Sequence, residues 1–427
     1  MLSEGFITSI RAQPKSANTA VAKDVGIYLH TLNSSHTVKS SFKKSSTHVN
    51  ALAANATHIF AAQADKAVVH VYSRERGNQE ALVSFPERIS CLTLAGESVV
   101  VFTGRMISTP SAHLQTVTSI SATKLDILTG SEDSNIHVWS LPRLLALGTK
   151  EPLEPLRSLS NHRAAITSLA IGQGTNQTNI SVSASRDNTI IVWNHHTGDL
   201  LRTLLLPSTP LCVALDPCNR AVYAGFEDGS LQMIEFFQAN STLNPLFDPN
   251  LQTTPVQITE APWTAPSEPG SVHCVGLSYD GTFILSGHAS GKISQWDTGR
   301  RAFSSELVDL NAPVTNLLML SPFPSRVTAR VTTVVKPKLG EVQYTFTAQL
   351  CAPPHTTDFD RIVNSNGFPE EMLVDAVARF STPTSSSSSG DDKLRKENEE
   401  LWRVVNEQQA LQKKTLDKYN KLKANGS

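Results

Sequence analysis

A serine, an aspartate and a histidine lie within seven positions of one another in the segment LDILTGSEDSNIHVWSL, residues 125–141. Side chains of these types can form a catalytic triad, in which the histidine activates the serine beside a donor for the oxyanion. The segment supplies neither a nucleophile held by its base nor an oxyanion donor. The other interpretation is that the segment is one unit of a repeat, and that its polar residues hold that unit together.

The same frame of residues recurs along the chain, as a repeat requires. Small residues come first, a turn residue follows, and a short alternating run closes six positions later on an aromatic or aliphatic residue. The four segments are TGSEDSNIHVW, SASRDNTIIVW, AGFEDGSLQMI and SGHASGKISQW, with turn residues Asp133, Asp187, Asp228 and Ser290 and closing residues Trp139, Trp193, Ile234 and Trp296.

A second element precedes each frame, such as HLQTVTSI from His113, HRAAITSL from His162 and SVHCVGL at 271–277. Alternating apolar residues and turns rich in Asp, Gly and Asn predict short antiparallel strands. This layout resembles a blade of the WD-repeat β-propellers. The resemblance implies a buried, hydrogen-bonded brace that joins the loop histidine, the turn aspartate, a strand serine or threonine and the closing tryptophan.

The brace residues follow from the position of each segment in this frame. The best match combines His162, Asp187 and Trp193 with Ser183 or Ser185. The second combines His113, Asp133 and Trp139 with Thr129 or Ser131, and Asp228 and Trp296 are the corresponding residues of two further blades. His137 is predicted to face outward.

The blades are predicted near 47–83, 84–112, 113–159, 160–206, 207–255 and 268–310. Strands from 312–350 and from the N-terminal segments GFITSI and VGIYLH would form one more blade, because propellers close by joining both chain ends. The expected fold is therefore all-β, a seven-bladed WD-repeat β-propeller over residues 1–351.

One blade is short, because no turn aspartate and no tryptophan strand follow SVVVFTG, near residues 101–104. Either this blade lacks a strand, or the sequence is a mis-spliced version of a longer one. We favour the second explanation, because deleting an interior strand leaves unpaired backbone and exposed core.

The C-terminal residues leave the β pattern. Residues 352–380 contain a short predicted helix, 381–392 form a Ser-rich linker, and 393–423 form a helix without Gly or Pro. Its heptad frame is imperfect, because Glu397 and Lys418 occupy seam positions, so it is either a weak coiled coil or a helix that docks in a partner's groove. A solvated helix is the alternative. The predicted partner-binding residues are Leu394, Leu401, Trp402, Val404, Leu411 and Leu422.

Composition narrows the possible functions. Lys and Arg total 37 against 38 Asp and Glu, so no global field attracts nucleic acid, and RNA contact is left to local spots such as Lys39, Lys43, Lys44, Lys336 and Lys338. The five cysteines lack zinc-ligand spacing, which predicts reduced thiols and neither metal nor cofactor. The N-terminus has no secretion signal, and no apolar run has membrane-spanning length, so we expect a soluble, non-secreted protein. No P-loop, nucleophile elbow or HExxH motif is present, so we expect no enzyme.

Four segments are more specific than a general blade pattern: HIFAAQADKAVVHVYS at 58–73, AHLQTVTSI at 112–120, LTGSEDSNIHVWSLPRLL at 128–145 and APVTNLLML at 312–320. With the Ser-rich linker and terminal helix, they resemble the WD-repeat subunits of the nuclear complex that matures the large ribosomal subunit and processes the second internal transcribed spacer of pre-rRNA.

That resemblance implies a non-enzymatic scaffold in the nucleolus and nucleoplasm. Its implied partners are two further subunits of the complex, the pre-ribosomal particle and an AAA-type remodelling ATPase, with self-association through the terminal helix. The alternative is a general WD-repeat platform in another nuclear complex, such as one for DNA replication licensing. The long segment 238–270 is either a partner-binding loop, anchored by Phe247 and Trp263, or a poorly ordered insertion.

Overall fold

The structure is a computed structural model that describes residues 4–11, 25–32, 36–85, 87–95, 99–103, 113–144, 154–172, 179–236, 246, 252, 254–322 and 398–415. The chain divides into two compact units, Met1–Val342 and Gln343–Ser427. The first unit is built from β-strands, and the described part of the second is a helix.

The first unit contains 26 described strands. In chain order they are β1 (Glu4–Ile10), β2 (Val25–Leu32), β3 (His36–Lys43), β4 (Thr47–Ala54), β5 (His58–Gln63), β6 (Val68–Ser73), β7 (Gln79–Ser84), β8 (Cys91–Ala95), β9 (Val99–Thr103), β10 (Val117–Ala122), β11 (Asp126–Ser131), β12 (Ile136–Ser140) and β13 (Arg157–Leu159). There follow β14 (Ile166–Ile171), β15 (Ile180–Ser185), β16 (Thr189–Asn194), β17 (Asp199–Leu205), β18 (Pro210–Leu215), β19 (Ala221–Phe226), β20 (Leu231–Glu235), β21 (Val256–Gln257), β22 (Val272–Leu277), β23 (Phe283–His288), β24 (Lys292–Asp297), β25 (Ala302–Asp309) and β26 (Val314–Leu320). A short helix α1 (Leu141–Leu144) follows β12.

These strands form seven sheets of mostly antiparallel neighbours. Their orders are β26-β1-β2-β3, β4-β5-β6-β7, β8-β9, β10-β11-β12-β13, β14-β15-β16-β17-β21, β18-β19-β20 and β22-β23-β24-β25. Six sheets contain three to five strands and are blades of a β-propeller, while β8-β9 has two strands among the described residues. The prediction of a mostly β propeller is confirmed.

Strands in the middle of a blade are buried on both faces, because a neighbouring blade covers each face. All six residues of β15 are buried, as are all six of β19. The small residues of the repeat frame have the same cause. A Cβ added to Gly130 would lie 2.7 Å from Cγ2 of Ile166 in the next blade, and one added to Gly225 would lie 2.6 Å from Cγ1 of Val272. The close approach of the next blade therefore requires glycine here.

The two ends of the propeller sequence meet in one sheet. β1 pairs antiparallel with β26, from Gly5 opposite Leu320 to Ile10 opposite Val314, and β2 pairs with the other edge of β1. The outer position belongs to β3, which the sequence analysis did not assign to this blade. The segments 326–335 and 341–350, assigned to it from the sequence, lie outside the described residues.

A buried polar cluster joins the closing sheet to the first complete blade. Thr47 Oγ1 donates to Ser9 Oγ at 2.7 Å and lies 2.9 Å from Thr315 Oγ1. Asn316 Nδ2 donates to Ser9 Oγ at 3.0 Å and to the His48 carbonyl at 2.7 Å, and Asn316 Oδ1 accepts from the Ala51 amide at 3.2 Å. We call Ser9, Thr47, Thr315 and Asn316 the closure cluster. It connects the beginning, the first blade and the last strand of the propeller.

The short blade predicted near residues 101–104 corresponds to the sheet β8-β9. The inner strand β8 packs on both neighbours, since Leu92 lies in a core cluster with Ala51 of β4, and Cys91 lies in one with Val117 of β10. Asn50 Nδ2 also donates to the Thr118 carbonyl at 3.0 Å, a direct bond from β4 to β10. The neighbouring blades are thus linked at the inner ring beside the two-stranded sheet.

The prediction that Trp263 anchors a partner is wrong. Trp263 is only 8% exposed and packs with Leu231 and Trp296. Its backbone exchanges two hydrogen bonds with Leu231, at 2.6 and 3.0 Å, so this segment borders the three-stranded sheet β18-β19-β20. Upstream, β21 pairs in parallel with β17 of the preceding blade. Segment 254–263 therefore covers the outer edges of two blades, and Phe247 lies outside the described residues.

The described part of the second unit is one helix, α2, over residues 398–415. All its side chains are exposed. Among the helices described in either unit, none combines the length and the apolar composition that a bilayer crossing requires.

Candidate functional site

Hydrogen bonds link all four residues of the brace around Trp193. His162 lies with Nδ1 3.2 Å from Asp187 Oδ2 and Nε2 2.8 Å from Ser183 Oγ, and the indole N–H of Trp193 donates to the same Ser183 oxygen at 2.8 Å. Ser183, and not Ser185, is the strand residue of this brace. Ser185 Oγ donates instead to the Ala164 carbonyl at 2.9 Å.

Ser183, His162 and Asp187 have the connectivity of a hydrolytic triad, but the geometry removes the nucleophile from any substrate. Ser183 is 0% exposed, and its oxygen receives the Trp193 N–H. A catalytic serine must present its oxygen to a carbonyl beside an oxyanion donor. Here the same atoms bind four segments of one blade together, and the arrangement is structural.

The charge of Asp187 is stabilised by this arrangement. Burial raises its pKa, but hydrogen bonds from the His162 ring, the Arg163 amide and Thr189 outweigh burial and hold the pKa well below its usual range. The Arg163 amide donates to Oδ2 at 2.8 Å and the Thr189 amide to Oδ1 at 3.0 Å. The turn aspartate thereby fixes the loop that carries His162.

The brace around Trp139 repeats this design with Thr129 as the strand residue. Thr129 Oγ1 accepts the indole N–H of Trp139 at 3.0 Å and lies 2.9 Å from His113 Nε2. His113 Nδ1 lies 3.2 Å from Asp133 Oδ2. Ser131, the other candidate, donates to the carbonyl of Thr116 at 3.0 Å.

The sequence predicts that His137 faces outward, but its ring packs against the brace. Its ring stacks on that of His113 with centroids 4.1 Å apart, and its Nδ1 lies 2.9 Å from Ser158 Oγ. Burial, followed by the nearby His113, lowers the pKa of His137 to about 4. His137 therefore adds a neutral ring to the outside of the brace.

The brace around Trp296 uses a histidine that the sequence analysis missed. Trp296 Nε1 donates to Ser286 Oγ at 2.7 Å, and Ser286 Oγ lies 2.8 Å from Nε2 of His288. His288 Nδ1 lies 3.0 Å from the Gly270 carbonyl, so the histidine reaches the loop from the strand. The upstream histidine of this blade, His273, instead contacts the Val314 carbonyl of the next blade. The sequence contained one signal for this histidine, because His288 stands at the position of the repeat frame that Ser131 and Ser185 occupy in the other blades.

Asp228 does not belong to a tryptophan brace. Its Oδ1 accepts from the Ser230 amide at 2.9 Å and from the Ser230 hydroxyl. Ala224 and Ile234 stand where the other blades have the strand serine or threonine and the tryptophan, and both are buried in one apolar cluster. The polar pair is thus replaced by an apolar pair.

Burial of neutral histidines predicts loss of stability in acid. Eight described histidines have a lowered pKa, with burial as the largest cause; His30 and His288 are 0% exposed, with pKa values of about 3 and about 4. As the pH falls below about 6.5, these histidines become protonated in the unfolded chain while they stay neutral in the folded one. The stability that the neutral rings contribute is therefore present above pH 6.5 and declines as the pH falls. A histidine of the unfolded chain is half protonated at pH 6.5, so each fully buried histidine lowers the stability by about 1 kcal/mol between pH 6.5 and 5.5.

We therefore expect the free energy of unfolding in urea to fall by about 2 kcal/mol between pH 6.5 and 5.5 from His30 and His288 alone. The His288→Gln variant should lose the part of the pH slope that this histidine supplies, at most one proton. A flat stability profile over this range would contradict the neutral, buried state of these rings.

The helix α2 presents the other predicted site. Leu401 and Leu411 are each 64% exposed and Val404 is 53% exposed, and at helical spacing they lie on one face. Trp402 is also 64% exposed but lies beside Glu399, Asn406 and Ala410, on another face. Leu394 and Leu422 lie outside the described residues. The apolar seam therefore comprises Leu401, Val404 and Leu411, and Trp402 is not part of it.

The described part of the chain contains no candidate metal site. No group of three or more His, Cys, Asp or Glu residues there is placed to hold an ion. Cys91, Cys212 and Cys274 are buried, and burial raises the pKa of Cys274 to about 12. These cysteines are inert core residues.

Comparison with known sequences agrees with this architecture. The profile of the WD domain, G-beta repeat, matches residues 104–140, 153–194 and 263–297. The chain is 24% identical over 333 residues to the pre-rRNA-processing protein IPI3 of Candida albicans, a match that covers 64% of this chain and 66% of that protein. It is 23% identical over 389 residues to the protein of the same name from Yarrowia lipolytica, covering 82% of this chain and 88% of that protein.

An animal relative is also similar. The human WD repeat-containing protein 18 is 26% identical over 282 residues, which cover 62% of this chain and 63% of the human protein. The chain thus spans slightly less than two thirds of the Candida and human proteins. The resemblance to WD-repeat proteins of ribosome biogenesis, inferred from the sequence, is confirmed.

Proposed function

We propose that this WD-repeat chain, similar to proteins named for pre-rRNA processing, is a non-enzymatic scaffold subunit of a pre-ribosomal complex. Its role is in large-subunit maturation and in processing of the second internal transcribed spacer. The observation that carries the proposal is the similarity along 82% of the chain to a pre-rRNA-processing protein. In this proposal, the chain supplies the binding surface on which the pre-rRNA-processing factors assemble.

The use of the polar residues supports a scaffold over an enzyme. Inside one blade, hydrogen bonds join Ser183, His162 and Asp187, and the Ser183 oxygen accepts the indole N–H of Trp193. A buried nucleophile without access to substrate has no catalytic use. In this proposal, the braces hold together the blades that present the binding loops. Their residues are His113, Asp133, Trp139, His162, Asp187, Trp193 and Trp296.

The domain organisation follows the predicted one in this proposal. Residues 1–351 are a seven-bladed propeller in which the sheet β8-β9 is the inner half of a shortened blade, since β8 packs between β4 and β10. The linker 381–392 connects it to the interaction helix 393–423. The helix provides self-association, and the propeller binds two further subunits, the pre-ribosomal particle and an AAA-type remodelling ATPase in the nucleus.

The test is affinity purification of the tagged full-length chain from nuclear extract, with mass spectrometry of the proteins and probing of the RNA. We expect large-subunit precursors, RNA containing the second internal transcribed spacer, and two stoichiometric protein partners. A tagged, unrelated propeller of similar size is the control. Recovery of a different nuclear complex, such as one for replication licensing, and no spacer RNA would reject the ribosomal role and leave a general interaction platform.

A further inference from the structure

Equivalent turns of five blades share one backbone bond. In each blade, the amide of the residue that follows the second strand donates to the carbonyl of the residue that precedes the first strand, at 2.8–3.1 Å. The donating residues are Ala64, Glu132, Arg186, Glu227 and Ala289. Arg186 is the one base in this set, and the turns of the two blades beside it carry acids at the same position.

A second arginine lies next to Arg186. The Arg163 amide donates to Asp187 Oδ2 at 2.8 Å, and the Arg186 amide donates to the Ala165 carbonyl at 3.0 Å, so bonds in both directions hold the two loops together. Both arginine side chains are exposed. The ion pairs between residues that the structure describes include neither of them. We call Arg163 and Arg186 the arginine pair.

Acidic turns border the arginine pair on both sides. On one side, Thr209 contacts two turns, because its hydroxyl donates to Asn188 Oδ1 at 2.8 Å and its carbonyl accepts from the Glu227 amide at 3.1 Å. On the other side, Glu132 follows β11, the strand that Gly130 sets closely against the first strand of the next blade. Both glutamates are exposed. Charge along these turns therefore runs from negative through positive to negative.

We propose that the arginine pair is a docking site for an acidic segment of a partner protein. Adjacent carboxylates of that segment bind the two guanidinium groups, which suit carboxylates because they donate paired hydrogen bonds. Basic residues on either side of the carboxylates face Glu132 and Glu227. This inference rests on the scaffold role in the proposed function and names one of its binding surfaces.

The flanking acids favour a peptide over RNA. A nucleic-acid backbone carries a continuous row of phosphates, and those beyond the arginine pair would lie against Glu132 or Glu227. A peptide can change the sign of its charge from one residue to the next. The short positive stretch, limited to one blade, therefore matches an acidic group with basic neighbours.

The test is fluorescence anisotropy of a labelled synthetic peptide, with adjacent glutamates between lysines, titrated with the full-length chain at low salt. We expect a dissociation constant on the order of 10–100 µM. Arg163→Ala and Arg186→Ala should each weaken binding roughly tenfold, because each removes a charged donor. Arg157→Ala, which removes an exposed arginine from β13, is the matched control and should bind like the original chain.

The alanine variants should fold normally. Both arginine side chains are exposed, and the bond from position 163 to Asp187 comes from the backbone amide, which alanine retains. Alanine already stands at the position of Arg186 in two other blades, as Ala64 and Ala289. A loss of peptide binding would therefore report the loss of the guanidinium group.

Two further probes test the chemistry of the partner. A peptide with glutamines in place of the glutamates, and a single-stranded RNA of similar length, should each bind roughly tenfold more weakly than the acidic peptide. RNA binding that is tighter than peptide binding and is lost in both arginine variants would assign the surface to nucleic acid and overturn the proposal.

Three other results would also overturn it. They are equal affinity of the original chain and both arginine variants, equal affinity for the glutamate and glutamine peptides, and no peptide binding at chain concentrations of about 500 µM. These titrations use the purified chain. Recovery of spacer RNA from nuclear extract tests the proposed function separately, so failure of one is distinguishable from failure of the other.

Discussion

Replacing Asp187 by alanine lowers the free energy of unfolding by about 3–4 kcal/mol, the largest effect that we expect from a single brace residue. The substitution removes the acceptor of the Arg163 and Thr189 amides and leaves the His162 ring buried without its carboxylate. A buried donor that loses its partner retains the full cost of leaving water. Urea denaturation followed by circular dichroism measures the difference.

Asp228→Ala is the matched control, because Asp228 occupies the same turn position in a blade without the serine, histidine and tryptophan set. Among the residues that the structure describes, its side chain bonds to Ser230 alone. We expect a loss of about 1 kcal/mol there. Equal losses for the two variants would show that the turn itself, and not the brace, accounts for the effect.

The second large effect concerns the closure cluster. Asn316→Leu preserves the approximate size of the side chain but removes the donor to Ser9 and the His48 carbonyl and the acceptor of the Ala51 amide. Asn316 is 5% exposed, so water cannot replace these partners. We expect a loss of about 3 kcal/mol in the free energy of unfolding, measured in urea.

Thr167→Val is the comparison for this substitution. Thr167 Oγ1 donates to the Pro210 carbonyl at 2.7 Å and links two adjacent blades far from the chain ends. We expect about 1 kcal/mol for this single bond. Limited proteolysis separates the two sites, because only the Asn316 variant should expose the N-terminal strand β1. Equal cleavage in both variants would argue against a special role for closure.

The repeat frame predicted the blades and most of the brace, because both depend on spacing within short segments. Trp139 and Trp193 each close a frame, and the structure places a strand serine or threonine ten residues before them within hydrogen-bond distance. Spacing could not choose between Ser183 and Ser185. The two residues lie on the same face of β15, because alternate residues of a strand share a face. The choice depends instead on the pairing register of β15 with β16, which sets Ser181 opposite Trp193 and so brings Ser183 closer to the indole than Ser185.

Other features depend on contacts that no local pattern contains. His288 takes the role of a loop histidine from within a strand, and Trp263 fills a blade edge after a long segment, so both require the tertiary arrangement. β21 pairs with the preceding blade for the same reason. In α2 the heptad frame groups Leu401, Val404 and Leu411, which lie on one helix face, and their role in binding stays a prediction. Adjacency in sequence grouped Trp402 with them, whereas helical rotation places Trp402 on another face.

The shared sheet of β1 and β26 has a consequence for synthesis of the chain. Ser9 and Thr315, which bond to each other in the closure cluster, are 306 residues apart. At translation rates of about 5–20 residues per second, the first strand waits on the order of 15 to 60 s for the last one to emerge. During that interval the nascent ring is open, with sheet edges that can pair with other chains. In the growing polypeptide β1 therefore stays without its partner β26 for a long interval, and premature termination before residue 314 should leave an aggregation-prone product.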